Sequence, residues 1–165
     1  GQARHSPGLG RGVVELCERV ERLGSLNKAA ADMGMAYRKA CKQDCFEAIL
    51  HRDGVVTECA HSNISILKDG IFISHPNDEF ILRGIGKTHL INACYRESVP
   101  VLEKTFTVDE MMQADEVIIT SSSDFCQSVG SIDGVRVGGR DPLTLRKIGM
   151  SNLNEYLRIT GQIDG

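Results

Sequence analysis

The sequence predicts an α+β fold, and three observations support this. Apolar residues recur at helical spacing near the N-terminus, Asp-Gly turns separate short apolar runs after residue 44, and an amphipathic stretch follows Pro142. Apolar runs joined by Asp-Gly are typical of β-hairpins, whereas a spacing of three and four residues is typical of helices. At 165 residues and 18.1 kDa, the chain has room for one domain or little more.

The N-terminal quarter is predicted to be helical after a short disordered leader at residues 1–10. From Val13 to Leu23 the apolar residues recur at helical spacing, and Gly24 ends that helix. Ser25 is a suitable N-cap for a second helix, and residues 35–42 would form a third. The sequence therefore predicts three helices before the mixed part of the chain.

The pattern changes to strands and turns after Cys45. Strands are predicted at 46–50, 55–57, 63–67, 71–74 and 117–120, with Asp-Gly turns at 53–54, 69–70 and 133–134. Helices are predicted at 87–97 and from Pro142 to about Arg158, with extended chain at 99–106. Thr107 and Glu110 have the spacing of a capping box. Residues 44–165 should thus form a mixed α+β unit.

Composition excludes several classes of protein. No stretch approaches the roughly 20 apolar residues of a membrane span, and the N-terminus lacks the apolar centre of a secretory signal. The six cysteines form no CxxC pair, which argues against zinc and redox motifs and favours a reducing compartment. We therefore expect a cytoplasmic protein with no membrane partner and no metal site.

The predicted helical segment carries a net charge of +4 over residues 1–43, whereas residues 44–165 carry −7. Its run from Gly24 to Ala40, GSLNKAAADMGMAYRKA, resembles the helix-turn-helix of the molybdate-responsive repressor (ModE) family over about residues 11–42. The resemblance implies DNA binding, with Tyr37, Arg38 and Lys39 facing phosphates or base edges. In that family the third helix continues into a wing, and here the pattern ends after Lys42.

Residues 45–148 resemble the C-terminal domain of fold-type IV pyridoxal-phosphate enzymes, most closely the D-amino acid aminotransferases. The resemblance rests on several motifs in the family's order. They are CFEAILHRDGVVTE from Cys45, Ser62-Asn63-Ile64, His75-Pro76, ILRGI from Ile81, Phe106-Thr107 and the run from Asp115 to Ser122. It implies pyridoxal 5'-phosphate as cofactor, amino acids and 2-oxo acids as substrates, and a homodimer.

The resemblance also assigns cofactor contacts residue by residue. Glu58 would face the ring nitrogen, since a carboxylate there favours the protonated ring. Ile85 and Gly86 would hold the phosphate at the start of a helix, and Leu82 would pack on the ring. Ser121 and Ser122 would lie near the phosphate. The family usually has Thr where this chain has Gly86, so weaker phosphate binding is expected.

The lysine that forms the Schiff base has no identifiable counterpart, so no catalytic residue is assigned. Gly24 precedes Ser25-Leu26-Asn27 where the family has Lys before a similar run. We also expect the family's N-terminal domain to be missing. We expect a D-amino acid aminotransferase relative that is truncated and has little or no turnover.

Two alternatives remain at this point: a DNA-binding regulator that uses the helix-turn-helix, and a structural remnant without activity. Branched-chain aminotransferases and aminodeoxychorismate lyases share the fold, and the sequence leaves the substrate open. The predicted domains are a helix-turn-helix segment at 11–43 and an aminotransferase class IV C-terminal domain at 44–165.

Overall fold

The computed structural model describes residues 11–18, 47–59, 62–77, 84–121 and 126–161, and of residues 11–18 the backbone alone. These ranges contain the strands β1 Arg11–Glu18, β2 Glu47–Arg52, β3 Val55–Cys59, β4 Asn63–Lys68, β5 Ile71–Ser74, β6 Val101–Glu103, β7 Glu116–Thr120, β8 Gln127–Ile132 and β9 Val135–Arg136. They also contain the helices α1 Ile85–Arg96, α2 Val108–Met112 and α3 Pro142–Ile159. The predicted α+β class is confirmed.

The strands form one mixed sheet whose two ends meet. Its order is β3-β2-β1-β8-β7-β4-β5-β6, and β9 pairs with β8. At the ends, the N–H of Val56 in β3 donates to the carbonyl of Phe106, just beyond β6, at 3.0 Å. The N–H of Val108 donates to the carbonyl of Gly54 at 2.9 Å. The sheet therefore curls round, which gives it an inner face and an outer face.

The helix predicted from Val13 is wrong over residues 13–18, because Arg11–Glu18 is strand β1. This strand lies between β2 and β8 and is parallel to both. Its apolar residues fit a helical stripe and a buried strand equally well, and a short apolar run does not distinguish the two. Pairing with strands far away in sequence decided the outcome.

The helix-turn-helix prediction loses its first helix and is not supported. Its other two helices, including Tyr37, Arg38 and Lys39, lie outside the described residues. The predicted domain boundary between residues 43 and 44 stays a prediction.

The three predicted Asp-Gly turns are confirmed. Asp53, Asp69 and Asp133 have φ of 50°, 53° and 50°, and the glycine after each also has a positive φ, between 76° and 80°. Two consecutive residues with positive φ are typical of the type I′ turn, whose twist matches that of a hairpin. These turns join β2 to β3, β4 to β5 and β8 to β9.

The predicted helices at 87–97 and 142–158 are confirmed as α1 and α3, with ends shifted by one or two residues. Thr107 caps α2, because its Oγ1 accepts from the N–H of Glu110 at 3.1 Å. Within the described residues, no helix has the length and apolar character needed to cross a membrane.

Each face of the sheet carries its own apolar cluster. The inner cluster includes Ile64 and Ile66 of β4, together with residues of β2, β3, β7 and β8. The outer cluster joins Leu67, the next residue of β4, to Leu90 of α1 and Ile148 of α3. This alternation follows from the two-residue period of a strand. Helices α1 and α3 therefore cover the outer face.

Candidate functional site

The N-terminal end of α1 lies close to one end of the sheet. Gly84 is the N-cap in an extended conformation, no side chain caps this end, and the first turn contains no acidic residue. The first helical bond runs from the N–H of Thr88 to the carbonyl of Gly84 at 3.2 Å. The N–H groups of a first turn have no partner within the helix, and the helix dipole favours an anion there.

Two glycines allow α1 to approach the sheet this closely. A Cβ atom on Gly84 would overlap Oδ1 of Asn63, at the start of β4. A Cβ atom on Gly86 would lie 2.8 Å from the carbonyl oxygen of Ser121, at the end of β7. Asn63 pairs with Thr120 across β4 and β7, so the two contacts are adjacent. The first turn of α1 therefore lies across the ends of two neighbouring strands.

Glu58 reaches the same end of the sheet from β3. Only 3% of its surface is exposed. The N–H of Cys59, the residue after Glu58, donates to the carbonyl of Ser62 at 2.9 Å. This bond places Ser62, just before β4, beside the end of β3. The structure therefore places Glu58, Ile85, Gly86 and Ser121 at one end of the sheet. Leu82 and Ser122, also predicted from the sequence, lie outside the described residues.

A cavity of about 270 Å³ lies between the first turn of α1 and the C-terminal half of α3. Three of the predicted residues line it, namely Ile85, Gly86 and Ser121, whereas Glu58 is not among the described lining residues. The other described residues that line it are His89, Asn152, Glu155, Tyr156, Ile159 and Thr160. The site thus combines residues of α1 and Ser121 with residues of α3.

The contribution of α3 was not predicted from the sequence. Its lining residues share one face of the helix, because they occupy positions i, i+3, i+4 and i+7: Asn152, Glu155, Tyr156 and Ile159. That period was visible in the sequence, but only the packing of α3 antiparallel to α1, where Arg96 bonds Ser151, shows which face meets α1.

Lys87 is a second residue that sequence reasoning missed. It is the third residue of α1, and only 3% of its surface is exposed. Its Nζ donates to the carbonyl of His75 and, at 3.1 Å, to Oδ1 of Asn77. Lysine is rarely buried to this extent without partners. Its position directly after Gly86 was the only signal in the sequence.

The shifted pKa values belong to Glu155, which lines the cavity, and to three buried cysteine thiols of the core. The hydrogen bond from Arg158 lowers the pKa of Glu155. Burial raises the pKa of Cys94 to about 12, and burial together with the nearby Cys94 raises that of Cys126 to about 12. Burial, followed by the charge of Glu47, raises the pKa of Cys59. These three thiols therefore stay protonated at neutral pH and pack as small apolar groups.

The fold matches solved aminotransferases. A T.th. branched-chain amino acid aminotransferase, complexed with N-(5'-phosphopyridoxyl)-L-glutamate, superimposes with a TM-score of 0.78 at 20% identity. The match covers 97% of this chain and 55% of that chain. The branched-chain aminotransferase of Thermoproteus uzoniensis with norvaline gives 0.77 at 24% identity, covering 99% and 55%. The architecture is that of a fold-type IV aminotransferase.

The family model described as amino-transferase class IV matches residues 26–132, and the chain belongs to that family. The resemblance predicted from residues 45–148 is confirmed. The match begins at residue 26, so the aminotransferase model also covers most of the run that resembled a repressor.

The curated relatives that match this chain include D-alanine aminotransferases. The protein of Listeria monocytogenes serotype 1/2a (strain 10403S) is 39% identical over 132 residues, covering 79% of this chain and 45% of that protein. The protein of Bacillus licheniformis is 40% identical over 113 residues, covering 68% and 40%. The chain thus spans less than half the length of these relatives.

Proposed function

We propose that this chain binds pyridoxal 5'-phosphate and belongs to a D-alanine aminotransferase type of protein, which moves an amino group between a D-amino acid and a 2-oxo acid. One observation carries the proposal: in a class IV aminotransferase chain, the uncapped first turn of α1 lies against the backbone of Ser121, at the same end of the sheet as Glu58. Backbone N–H groups at a helix start bind a phosphate, and a carboxylate favours a protonated ring nitrogen.

The residues present fit the phosphate. Gly86 leaves no Cβ between the helix and the backbone of Ser121. Backbone N–H groups of the first turn and the Ser121 hydroxyl would then bind one anion together. No acidic residue in the first turn of α1 repels it. Ile85 and Gly86 would supply N–H donors, and Ser121 and Ser122 would supply hydroxyls. The absent Thr hydroxyl at position 86 would weaken binding.

Glu58 would hold the proton on the ring nitrogen. A buried carboxylate beside a pyridinium favours its charged form, because the interaction is little screened by solvent. Leu82 would pack against the ring. Bound pyridoxal phosphate supplies an electron sink for bonds at the amino acid α-carbon. Glu58 strengthens that sink by keeping the ring positively charged.

The chain would bind the cofactor without a stable covalent link. Gly24 occupies the place where the family's lysine is expected, and the assigned contacts include no amine. We therefore propose little or no transamination by this chain alone. We also propose a homodimer as its assembly, as the resemblance implies.

Cofactor titration tests the proposal. Pyridoxal phosphate should bind saturably and at least about 10-fold more tightly than pyridoxal, and borohydride reduction should add no coenzyme mass to the protein. Equal binding of the two compounds, or no binding, would refute the phosphate site. Coenzyme mass on Lys28 or Lys39 after reduction would show that the chain does contain the linking lysine.

Glu58→Gln tests the ring contact, with the exposed Glu103→Gln as its matched control. Glu58→Gln should lower the pH at which the absorbance of bound coenzyme reports loss of the ring proton, while Glu103→Gln leaves it unchanged. An identical titration for both variants would remove Glu58 from the site.

A further inference from the structure

The first turn of α1 is fixed to three neighbouring strand ends. Gly84 meets Asn63 at the start of β4, and Gly86 meets Ser121 at the end of β7. Lys87 makes the third attachment, through the carbonyl of His75 and Oδ1 of Asn77, just beyond β5. The strands β7, β4 and β5 are consecutive in the sheet. Lys87 thus completes a set of contacts that spans three strands.

The contact made by Lys87 differs from the close approaches of Gly84 and Gly86 because it brings a charge. A buried ammonium is costly unless its donors are bonded, so the contacts to His75 and Asn77 are strongly favoured. A buried charge is also screened less than one in water, and this one is on the residue directly after Gly86. Its position on the first turn adds positive potential to that of the helix dipole.

We propose that Lys87 is a positioning residue for the phosphate of the coenzyme. It holds the N–H groups of the first turn in place through its bonds to His75 and Asn77, and its charge favours a dianion at that turn. This inference rests on the proposed function. It predicts that Lys87 affects the phosphate part of the binding energy and leaves ring binding unchanged.

Two ligands separate these parts: pyridoxine 5'-phosphate and pyridoxine, which share a ring, lack the aldehyde and differ in the phosphate. The measured quantity is the ratio of their Kd values in each variant. We expect Lys87→Met to reduce the advantage of the phosphorylated ligand about 10-fold or more. Lys87→Arg keeps the positive charge and charge-assisted hydrogen bonds, although its side chain is larger, and should restore part of that advantage. Lys147→Met, at an exposed position of α3, is the matched control and should leave the ratio unchanged.

If Lys87→Met weakens both ligands equally, the ratio stays the same, Lys87 has a purely structural role and the inference is overturned. The inference is also overturned if neither Kd changes. If Lys87→Met does not fold, Asn77→Ala at an exposed position removes one acceptor while keeping the lysine. Its phosphate advantage should fall about 2- to 5-fold, and an unchanged ratio would again overturn the inference. A wild-type chain that shows no preference for pyridoxine 5'-phosphate would refute the proposed function itself.

Discussion

The two ends of α1 contact surfaces of different chemistry. Its first turn touches Asn63 and the backbone of Ser121, and its buried Lys87 bonds to polar acceptors. Beyond the first turn, Leu90 and Cys94 of α1 lie in the outer apolar cluster. Burial of apolar groups is non-directional, whereas polar contacts depend on distance and angle. The part of α1 beyond its first turn can therefore stabilise the fold while the first turn fixes the geometry of a site.

The largest loss of stability should come from a substitution in the outer apolar cluster. Leu90→Ala removes a fully buried side chain and should lower the free energy of unfolding by about 2–5 kcal/mol, measured by urea denaturation. In the fraction that remains folded, the Kd for pyridoxal phosphate should stay within about twofold of wild type. A large loss of affinity without loss of stability would show that the two ends are not separable.

Gly86→Ala tests the polar end. Its Cβ would meet the carbonyl oxygen of Ser121, so the backbone must shift, at a cost of about 1–3 kcal/mol. We expect the Kd for pyridoxal phosphate to rise about 10-fold, measured by fluorescence titration. Ile85→Ala, at a neighbouring side chain that is 73% exposed, is the control and should change stability little. Equal Kd values for Gly86→Ala and wild type would show that close approach to Ser121 is not required.

The buried thiols Cys94 and Cys126 predict an alkaline loss of stability in the outer apolar cluster. The folded pKa values of Cys94 and Cys126 are raised to about 12 from an ordinary value of 9.0, so the folded state binds their protons more tightly. That contribution is complete below pH 9 and is lost as the pH rises toward 12. The urea midpoint of wild type should therefore fall between pH 9 and 11 more steeply than that of a Cys94→Ala, Cys126→Ala double variant. An equally steep fall of the urea midpoint in wild type and the double variant would contradict this prediction.

The smallest effect is expected on the exposed side of the cavity. Glu155 bonds Arg158 on α3, and the contact is open to solvent, which screens it. Glu155→Gln should leave the urea midpoint at pH 7 within experimental error. A clear loss of stability would show that the α3 side of the cavity has a structural role comparable with that of the apolar cluster.

Local signals in the sequence were sufficient for the turns and for most elements. The Asp-Gly turns, the cap at Thr107 and the amphipathic pattern of α3 depend on neighbours a few residues away, and each appears in the structure as predicted. The site at the start of α1 was predicted in part. Ile85, Gly86 and Ser121 line one cavity, and their contact with a cofactor stays a prediction.

Sequence patterns were sufficient to predict the α+β class, the hairpins and the family, because these depend on short-range periodicity and on motifs in order. The strand at residues 11–18 depends instead on tertiary structure, since β1 finds its hydrogen-bond partners in β2 and β8, far away along the chain. Tertiary structure also decided that Lys87 is buried and that α3 lines the cavity. Both outcomes depend on which surfaces meet when the helices pack on the sheet, and no local pattern contains that information.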